Sequence, residues 1–388
     1  MRRLSIRSAF ALVDQDLRPL RDGVVDVSDG VVTGIGRVPG SNNVVDLGNA
    51  ILMPQLTNAH IHVLDHFLMG LFNKFYIDDL VGAPYGLKYQ YLRRVNPESL
   101  RGGLARLFRR IRGYGVGCLL AIIEYGMRFV DVVLEEAGRV GLCVVPLAEP
   151  SVFRVYVHPN EEEDVDEVFE EEVRYFVERG FGISLISPLN YSTAELMLAS
   201  RLGGSRNLLI STHVSETVDT HADGDLSRAL STLVTGNSLF VHMTQLSDDE
   251  IAKLPKVSVA VCPRSNVELV GRLPSVGSMV RVGLKPMVGT DNTALIEPDP
   301  WGELRFMRYA MAGGQGLRPI DILMMSTSWA WSWGFGYIIR EGLPMRGLAV
   351  GVAYESLDAD YVHDYLLTRV SSRDILYLID GQDVVKVI

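Results

Sequence analysis

The sequence predicts an α/β chain that folds as a (β/α)8, TIM-like barrel with a small β-sandwich domain formed from both termini. The central part of the 388-residue chain alternates short apolar runs with amphipathic stretches. This alternation is typical of parallel strands joined by right-handed helical crossovers, and about eight repeats at this length indicate a closed barrel. Both ends of the chain instead alternate polar and apolar residues around Asp-Gly pairs, which is typical of β-hairpins.

The terminal β-domain is predicted from two segments at opposite ends of the sequence. Residues 22–36 contain two Asp-Gly pairs, and residues 373–386 contain one Asp-Gly pair between two apolar runs. An isolated hairpin is only marginally stable, so we expect the two ends to pack together. We therefore place the β-sandwich at residues 1–52 plus 345–388 and the barrel at residues 53–344.

The barrel strands are predicted at the short apolar runs. In chain order they cover residues 54–62, 117–124, 142–147, 182–187, 208–213, 239–242, 257–262 and 286–291. The amphipathic stretches expected to be helices cover residues 98–112, 130–139, 165–179, 194–202 and 247–252. Active sites of such barrels lie at the carboxyl ends of the strands, so the polar residues at those ends are the candidates for chemistry.

Composition excludes several classes of protein. A net charge of -10 gives no electrostatic footprint for nucleic acid or for an anionic membrane. No apolar stretch reaches the ~18 residues typical of a membrane helix. The 3 cysteines lie in apolar runs, which predicts reduced core residues rather than a disulfide framework. No signal-peptide pattern opens the chain, so the cytoplasm is the expected location.

Two histidines one residue apart, His60 and His62, end the first predicted barrel strand. Residues i and i+2 of a strand face the same side, so the two imidazoles can bind one metal ion together. The competing interpretation is a pair of partly buried core histidines. The other polar residues at predicted strand ends are His213, Glu216, His242 and Asp291. Four of the 8 histidines thus fall at one mouth of the barrel, which favours a metal site.

Five short motifs in this order resemble the amidohydrolase superfamily, and more narrowly its cytosine deaminase and chlorohydrolase branch. They are Asn-Ala-His-Ile-His at 58–62, His-Val-Ser-Glu-Thr at 213–217, Val-His at 241–242, Cys-Pro-Arg-Ser-Asn at 262–266 and Gly-Thr-Asp-Asn at 289–292. The His-x-His pair is a weak signal alone, whereas five ordered motifs at strand ends form a specific one. The two terminal β segments also resemble the split sandwich of that family.

The resemblance implies a role for each residue. The ligands of one divalent metal ion per chain, zinc or alternatively iron, would be His60, His62, His213 and Asp291. Asp291 would also take the proton of the attacking water. Glu216 and His242 would be catalytic without binding the metal. The competing interpretations are a helix-capping glutamate for Glu216 and a satisfied core histidine for His242.

Two departures from the family pattern refine these expectations. Superfamily members with two metal ions bridge them with a modified lysine after strand 4, but residues 182–190 contain no lysine, and Lys88 is distant in sequence. We therefore expect a single metal ion. Relatives that act on adenosine-like substrates carry a histidine where this chain has Leu189, which argues against an adenosylhomocysteine-like substrate.

The function predicted by the resemblance is hydrolytic deamination of an amino-substituted N-heterocycle such as a purine or pyrimidine. A chlorohydrolase or an amide hydrolase of the same branch is the alternative, since one metal site serves all of these reactions. A non-catalytic scaffold is the rival from another class, and the family suggests a homodimer. The connection after strand 1 is rich in aromatic residues, which could stack on a flat substrate or form a local core or dimer contact. These are Phe67, Phe72, Phe75, Tyr76, Tyr85, Tyr89 and Tyr91.

Overall fold

A computed structural model describes residues 3–70, 77–155, 164–354 and 356–387 of the chain. The chain divides into two compact units. The first contains residues 1–58, 110–118 and 299–388, and the second contains residues 59–109 and 119–298. The sequence-based boundaries between β-sandwich and barrel stay a prediction.

The described residues form seventeen strands and sixteen α-helices. The strands are β1 (Arg3–Val13), β2 (Arg18–Ser28), β3 (Val31–Gly36), β4 (Val44–Asp46), β5 (Ala50–Pro54), β6 (Leu56–His62), β7 (Val116–Ile123), β8 (Cys143–Ala148), β9 (Gly182–Leu185), β10 (Ile210–Val214), β11 (Ser238–His242), β12 (Ser258–Val261), β13 (Met287–Val288), β14 (Asp291–Asn292), β15 (Arg346–Gly351), β16 (Ile375–Asp380) and β17 (Asp383–Lys386).

The helices separate the barrel strands and flank the last terminal strands. They are α1 (Ile77–Val81), α2 (Leu87–Arg94), α3 (Arg101–Gly113), α4 (Gly126–Arg139), α5 (Glu167–Glu178), α6 (Thr193–Ser205), α7 (Val218–Ala222), α8 (Asp225–Thr232), α9 (Asp248–Lys253), α10 (Pro263–Val270), α11 (Val276–Arg281), α12 (Pro300–Ala310), α13 (Ala312–Gln315), α14 (Pro319–Met324), α15 (Ser328–Ser332) and α16 (Val362–Arg369).

Strands from both termini form one eight-stranded sheet, as the sequence predicted. Its order is β17-β16-β15-β5-β1-β2-β3, with β4 also paired to β1. The carboxyl-terminal strand β15 pairs antiparallel with β5 from the amino-terminal segment. The buried core of this sheet includes Leu4, Ile6, Val25 and Ala349, which are drawn from both ends of the chain. Joining the two ends supplies the apolar face that neither hairpin has alone.

The Asp-Gly pairs of the terminal segments do not all form turns. Asp29 and Gly30 link β2 to β3 with φ values of 47° and 84°, as a two-residue hairpin turn requires. Asp22-Gly23 instead lies inside β2. Gly23 serves close packing there, because a Cβ at this position would lie 2.7 Å from the Cβ of Ala11 on β1.

The second sheet contains nine parallel strands that close into the predicted barrel. Its order is β13-β12-β11-β10-β9-β8-β7-β6-β14. The strands at the two edges, β13 and β14, are only two residues apart in sequence. One continuous segment therefore pairs with β12 at its start and with β6 at its end, which joins the edges of the sheet. Each predicted strand of the central region overlaps an observed one.

The segment that closes the barrel is interrupted, whereas the sequence predicted one continuous strand at 286–291. The N–H of Gly289 donates to the carbonyl of Val261 at 2.9 Å, and the N–H of Thr290 donates to the carbonyl of His60 at 3.0 Å. The chain thus changes partners between these two residues. Because β14 follows at once, Asp291 enters the barrel mouth directly beside β6.

The structure shows where the three cysteines lie and whether a described helix could cross a membrane. Cys118 and Cys262 are buried, but Cys143 is exposed, so the prediction of a core position is wrong for Cys143. Cys143 is the first residue of β8, where the strand has not yet entered the core. Among the described residues, none of the helices combines the length and the apolar character needed to cross a membrane.

We predict that Gly289→Ala disturbs the closure of the barrel. An added Cβ would lie 2.7 Å from both the Cβ and the carbonyl oxygen of His60, and backbone atoms of a central strand cannot move aside cheaply. Overpacking of this kind costs about 1–3 kcal/mol. A thermal unfolding scan should therefore show a lower melting temperature.

The matched control for this variant is Gly138→Ala. Gly138 lies in α4 and a Cβ there would meet nothing within 4 Å. Alanine is favoured over glycine inside a helix by roughly 0.5–1 kcal/mol, so this variant should melt at or above the wild-type temperature. Equal melting temperatures for Gly289→Ala and the wild type would contradict the close approach of the two strands.

Candidate metal centre

The structure brings the predicted metal ligands and the fourth histidine together at the carboxyl ends of the barrel strands. His60 and His62 end β6, His213 lies on β10, His242 ends β11 and Asp291 begins β14. The rings of His60 and His62 are 4.9 Å apart, and those of His60 and His213 are 5.1 Å apart. His60 is fully buried, and the side chain of Asp291 is 6% exposed. The four histidines and Asp291 therefore form one cluster.

The spacing of the donor atoms fits one small cation. His60 Nε2 lies 3.3 Å from His213 Nε2 and 3.3 Å from Asp291 Oδ1, and His62 Nε2 is also 3.3 Å from Asp291 Oδ1. In a tetrahedral site with metal–ligand bonds of about 2.0–2.1 Å, neighbouring donor atoms are about 3.3–3.4 Å apart. Three imidazoles and a carboxylate suit a divalent metal ion.

Hydrogen bonds behind two of the rings set which nitrogen carries the proton. His213 Nδ1 donates to the carbonyl oxygen of Ile186 at 2.6 Å. His62 Nδ1 lies 2.6 Å from Glu124 Oε1, and we assign the proton to Nδ1 because a carboxylate only accepts. In both rings the Nε2 lone pair then faces the centre of the cluster, as metal coordination requires.

Electrostatics keep His60, His213 and Asp291 in the protonation states that a cation needs. At His62, burial lowers the pKa, but the hydrogen bond to Glu124 and the charges of Glu124 and Asp291 outweigh it and raise that pKa. Burial lowers the pKa of His60 to about 4 and that of His213 well below its ordinary value, so both rings are neutral near pH 7. Burial alone would raise the pKa of Asp291. The hydrogen bond to His60 and the charges of nearby histidines outweigh it, so that pKa stays well below its usual range. Asp291 is thus a carboxylate.

His242 has the opposite tautomer from His62 and His213, whose protons are on Nδ1. Asn266 Nδ2 donates to His242 Nδ1 at 2.8 Å, which places the proton of the neutral ring on Nε2. Burial lowers the pKa of His242 to about 4, so the ring carries only that one proton near pH 7. Although His242 is within reach of His60 and Asp291, its Nε2 is a hydrogen-bond donor and not a lone pair.

The motif at 262–266 supports two members of the cluster. Ser265 Oγ donates to Asp291 Oδ2 at 2.5 Å, which leaves Oδ1 facing the histidines. Asn266, on the same first turn of α10, holds His242 as described. The sequence motif therefore contributes orientation and not a further donor atom to the centre.

Three residues of the mouth have left-handed backbone conformations, which are uncommon outside glycine. The φ values are 50° for Ser215, 75° for His242 and 65° for Asp291. Asp225 holds the conformation at Ser215, because its carboxylate accepts from the Ser215 N–H at 2.5 Å and from Oγ at 3.0 Å. This turn directs Glu216 to the cavity, where its Oε2 lies 3.7 Å from His242 Nε2.

The carbonyl oxygen of Glu216 is also fixed. It accepts from Thr244 Oγ1 at 2.5 Å and from Gln245 Nε2 at 3.1 Å, and both donors follow β11. The Glu216 side chain is 18% exposed, so it is reachable from the cavity. The competing interpretation of Glu216 as a helix cap is not supported, since Thr217 is the N-terminal capping residue of α7.

Sequence reasoning missed a buried charged group behind His62. It consists of Asp65, Lys88, Tyr89, Glu124 and Glu149, each at most 2% exposed. Glu124 and Glu149 directly follow β7 and β8, and this position at strand ends was the available signal. No pattern pointed to Lys88, which the sequence places far from the histidines.

Two carboxylates of this group share the one ammonium, Lys88. Lys88 Nζ lies 2.5 Å from Glu124 Oε1 and 3.2 Å from Asp65 Oδ1. Burial would raise the pKa of Glu124, but Lys88 and His62 hold it at about 2. Burial and the charge of Glu124 raise the pKa of Glu149 well above its ordinary value, and the Tyr89 hydroxyl donates to Glu149 Oε1 at 3.2 Å.

A cavity of about 670 Å³ opens onto the cluster. Its described walls include His62, His213, Glu216, His242 and Asp291 at the inner end. Of the aromatic residues predicted to stack on a substrate, Tyr85 and Tyr89 line the cavity. Phe72, Phe75 and Tyr76 lie outside the described residues.

Comparison with known sequences places the site in context. The profile of the family described as "Amidohydrolase family" matches residues 51–330. A protein of Methanothermobacter thermautotrophicus named as a candidate aminohydrolase is 26% identical over 401 aligned positions, which cover 100% of each chain. A 5-methylthioadenosine/S-adenosylhomocysteine deaminase of Bacillus cereus is 24% identical and covers 70% of this chain and 64% of its own.

Solved structures share the fold at low sequence identity. An adenosine deaminase from Xanthomonas campestris with bound zinc superposes with a TM-score of 0.78 at 19% identity, covering 98% of this chain and 92% of its own. A zinc complex of an atrazine chlorohydrolase from Arthrobacter aurescens TC1 gives a TM-score of 0.84 at 13% identity, covering 98% and 94%. Since the family profile spans well over half of the sequence, this chain belongs to the amidohydrolase family.

Proposed function

We propose that this amidohydrolase removes an amino group hydrolytically from an N-heterocycle such as a purine or a pyrimidine. The observation that carries the proposal is the set of three imidazole nitrogens and one carboxylate oxygen at 3.3 Å spacing. Glu216 and His242 stand at its rim, within 3.7 Å of each other. The names of adenosine, guanine and methylthioadenosine deaminases among similar proteins support this reaction.

The metal in this proposal is one zinc ion per chain, held by His60, His62, His213 and Asp291. A bound divalent ion would supply hydroxide at neutral pH, because it lowers the pKa of water from 15.7 to about 7. The zinc-bound structures of two similar proteins favour zinc over the alternative, iron. A single ion agrees with the absence of lysine from residues 182–190.

The side chains around this site have separate tasks in the proposed reaction. Asp291 accepts a proton from the attacking water through its carboxylate, whose second oxygen is anchored by Ser265. His242 donates its Nε2 proton in a hydrogen bond to the attacking oxygen and so fixes its direction. Glu216, initially protonated, gives its proton to a ring nitrogen of the substrate. It then receives the proton that Asp291 took from water and gives it to the leaving amine as the C–N bond breaks. The hydroxyl proton released as the C=O bond forms returns to Glu216. The balance is water plus aminoheterocycle to ketoheterocycle plus ammonia.

The ligand assignment predicts the metal content of variants. His213→Ala and Asp291→Ala each remove one of four donor atoms and should lose most of the zinc, measured by elemental analysis after gel filtration. His363→Ala is the control. His363 and its hydrogen-bond partner, the carbonyl of Leu17, both lie in the compact unit that does not contain the histidine cluster. This variant should keep the wild-type zinc content. Wild-type zinc content in both ligand variants would refute the assignment.

The role of Glu216 predicts a separation between metal binding and rate. Glu216→Gln keeps the shape of the side chain but cannot transfer a proton, so kcat should fall about 10²–10⁴-fold at unchanged zinc content. Glu268→Gln, an exposed position on α10, should leave both quantities at wild-type values. An unchanged rate for Glu216→Gln would reduce Glu216 to a rim residue.

The reaction itself is tested by ammonia release from a panel of substrates. Zinc-loaded protein is incubated with cytosine, guanine, adenine, their nucleosides, pterins and aminotriazines, and Asp291→Ala serves as the blank. We expect ammonia from at least one compound and none from the blank. Ammonia from none of them, with chloride released from a chlorotriazine, would replace the proposal by the chlorohydrolase alternative. Homodimer formation stays a prediction.

A further inference from the structure

The buried group behind His62 lies in the compact unit that contains the metal cluster, but the proposed reaction makes no use of it. We call Asp65, Lys88 and Glu124 the Lys88 triad. Their side chains are 0–3% exposed. Glu124 follows β7, Lys88 lies on α2, and Asp65 lies on the 3-10 helix Val63–Leu68 that continues from β6. The triad thus connects the segment between β6 and β7, which contains Asp65 and Lys88, to the carboxyl end of β7.

One carboxylate oxygen carries the contacts between the triad and the metal cluster. Glu124 Oε1 accepts from His62 Nδ1 at 2.6 Å and from Lys88 Nζ at 2.5 Å. Glu124 Oε2 is buried and has no hydrogen-bond partner within the described part of the chain. The orientation of this carboxylate therefore depends on His62 and Lys88.

The geometry also shows what Lys88 does not do. Lys88 Nζ lies 3.1 Å from His62 Nδ1, but both groups carry protons when Glu124 is their common acceptor. Lys88 consequently acts on the ring through Glu124 and not by a bond of its own. Its second contact, to Asp65 Oδ1 at 3.2 Å, anchors the ammonium from the other side.

A buried charged triad is a poor way to stabilise a fold. Removing charges from water costs several kcal/mol each, and well-packed apolar residues of similar volume are often as stable or more stable. Its geometric effect here is specific, because it fixes the direction of one imidazole. Carboxylates that accept from the distal nitrogen of a histidine ligand orient the ring and its tautomer, and their loss typically costs 10–100-fold in metal affinity.

We propose that Glu124 and Lys88 are positioning residues for His62: Glu124 holds the ring with Nε2 towards the metal, and Lys88 holds Glu124. This inference rests on the proposed function in one respect, that His62 is a metal ligand. It adds two residues outside the proposed ligand set, one of which, Lys88, also lines the cavity, and assigns them to metal affinity.

The test is the zinc dissociation constant, measured by competition with a chromophoric chelator on purified full-length protein. Lys88→Met keeps the length of the side chain without its charge, and Glu124→Leu removes the acceptor. Both should raise the dissociation constant about 10–100-fold. Glu124→Gln retains an acceptor oxygen for His62 Nδ1 and should lose less affinity than Glu124→Leu. In the cobalt-substituted protein the visible ligand-field bands should shift in Lys88→Met, because the ring of His62 is no longer fixed.

The matched control is Glu195→Gln. Glu195 is also fully buried and pairs with a cation, Arg154 Nη1, at 2.5 Å, but among the described residues it has no contact with the histidine cluster. It should bind zinc with wild-type affinity. An equal loss of affinity in Glu195→Gln would make the effect one of general packing and overturn the proposal. Circular dichroism verifies folding, and if Lys88→Met does not fold, the nearly isosteric Glu124→Gln carries the test.

A further variant separates this inference from the ligand assignment. His62→Ala should lose zinc far more severely than any triad variant. If His62→Ala loses zinc while Lys88→Met and Glu124→Leu bind it like the wild type, the positioning role is wrong and the ligand set stands. If His62→Ala binds zinc like the wild type, the ligand assignment fails and the positioning role fails with it.

Discussion

The barrel mouth is organised around a single electrostatic constraint: imidazole nitrogens and a buried carboxylate oxygen converge on one point. His60 Nε2 and His213 Nε2 are 3.3 Å apart in rings whose pKa values are lowered by burial. A third imidazole and an ionised carboxylate approach the same point. Such an arrangement is unfavourable unless a cation fills it, because lone pairs and a buried charge are otherwise uncompensated. The closure of the barrel creates this constraint, since β14 can place Asp291 beside β6 only when the sheet is complete.

Hydrogen bonds behind the rings then divide the histidines by role. The carbonyl of Ile186 and the carboxylate of Glu124 take protons from Nδ1 and leave lone pairs at Nε2. Asn266 gives a proton towards Nδ1 of His242 and leaves an N–H at Nε2. Chemically identical side chains thus present either a lone pair or an N–H at Nε2 according to what lies behind them. This division is consistent with the site proposed above and does not depend on the substrate.

The sequence predicted the elements that follow from periodicity. His60 and His62 share a face because a strand repeats every two residues, and the apolar runs located all eight barrel strands. The conformations at Ser215, His242 and Asp291 could not be predicted, because nothing in these residue types demands a positive φ; tertiary contacts such as Asp225 with Ser215 impose it. Whether an Asp-Gly pair turns also depends on tertiary contacts, since Asp22-Gly23 lies inside β2 against Ala11. The position of Lys88 could not be predicted, because its partners Asp65 and Glu124 come from distant segments of the chain.

The two sides of His62 have a common electrostatic design. On the Nε2 side of His62, the carboxylate of Asp291 faces the proposed cation site. On the Nδ1 side, the carboxylate of Glu124 pairs with Lys88. Glu124 and Asp65 share the positive charge of Lys88, and the imidazole lies between this group and Asp291. Removing one partner of a buried pair costs about 3–5 kcal/mol, because the other charge is left without compensation. A metal ion bound on the Nε2 side would compensate Asp291, as Lys88 compensates Glu124 on the Nδ1 side. The metal centre therefore extends, in energetic terms, beyond the atoms that can touch the ion.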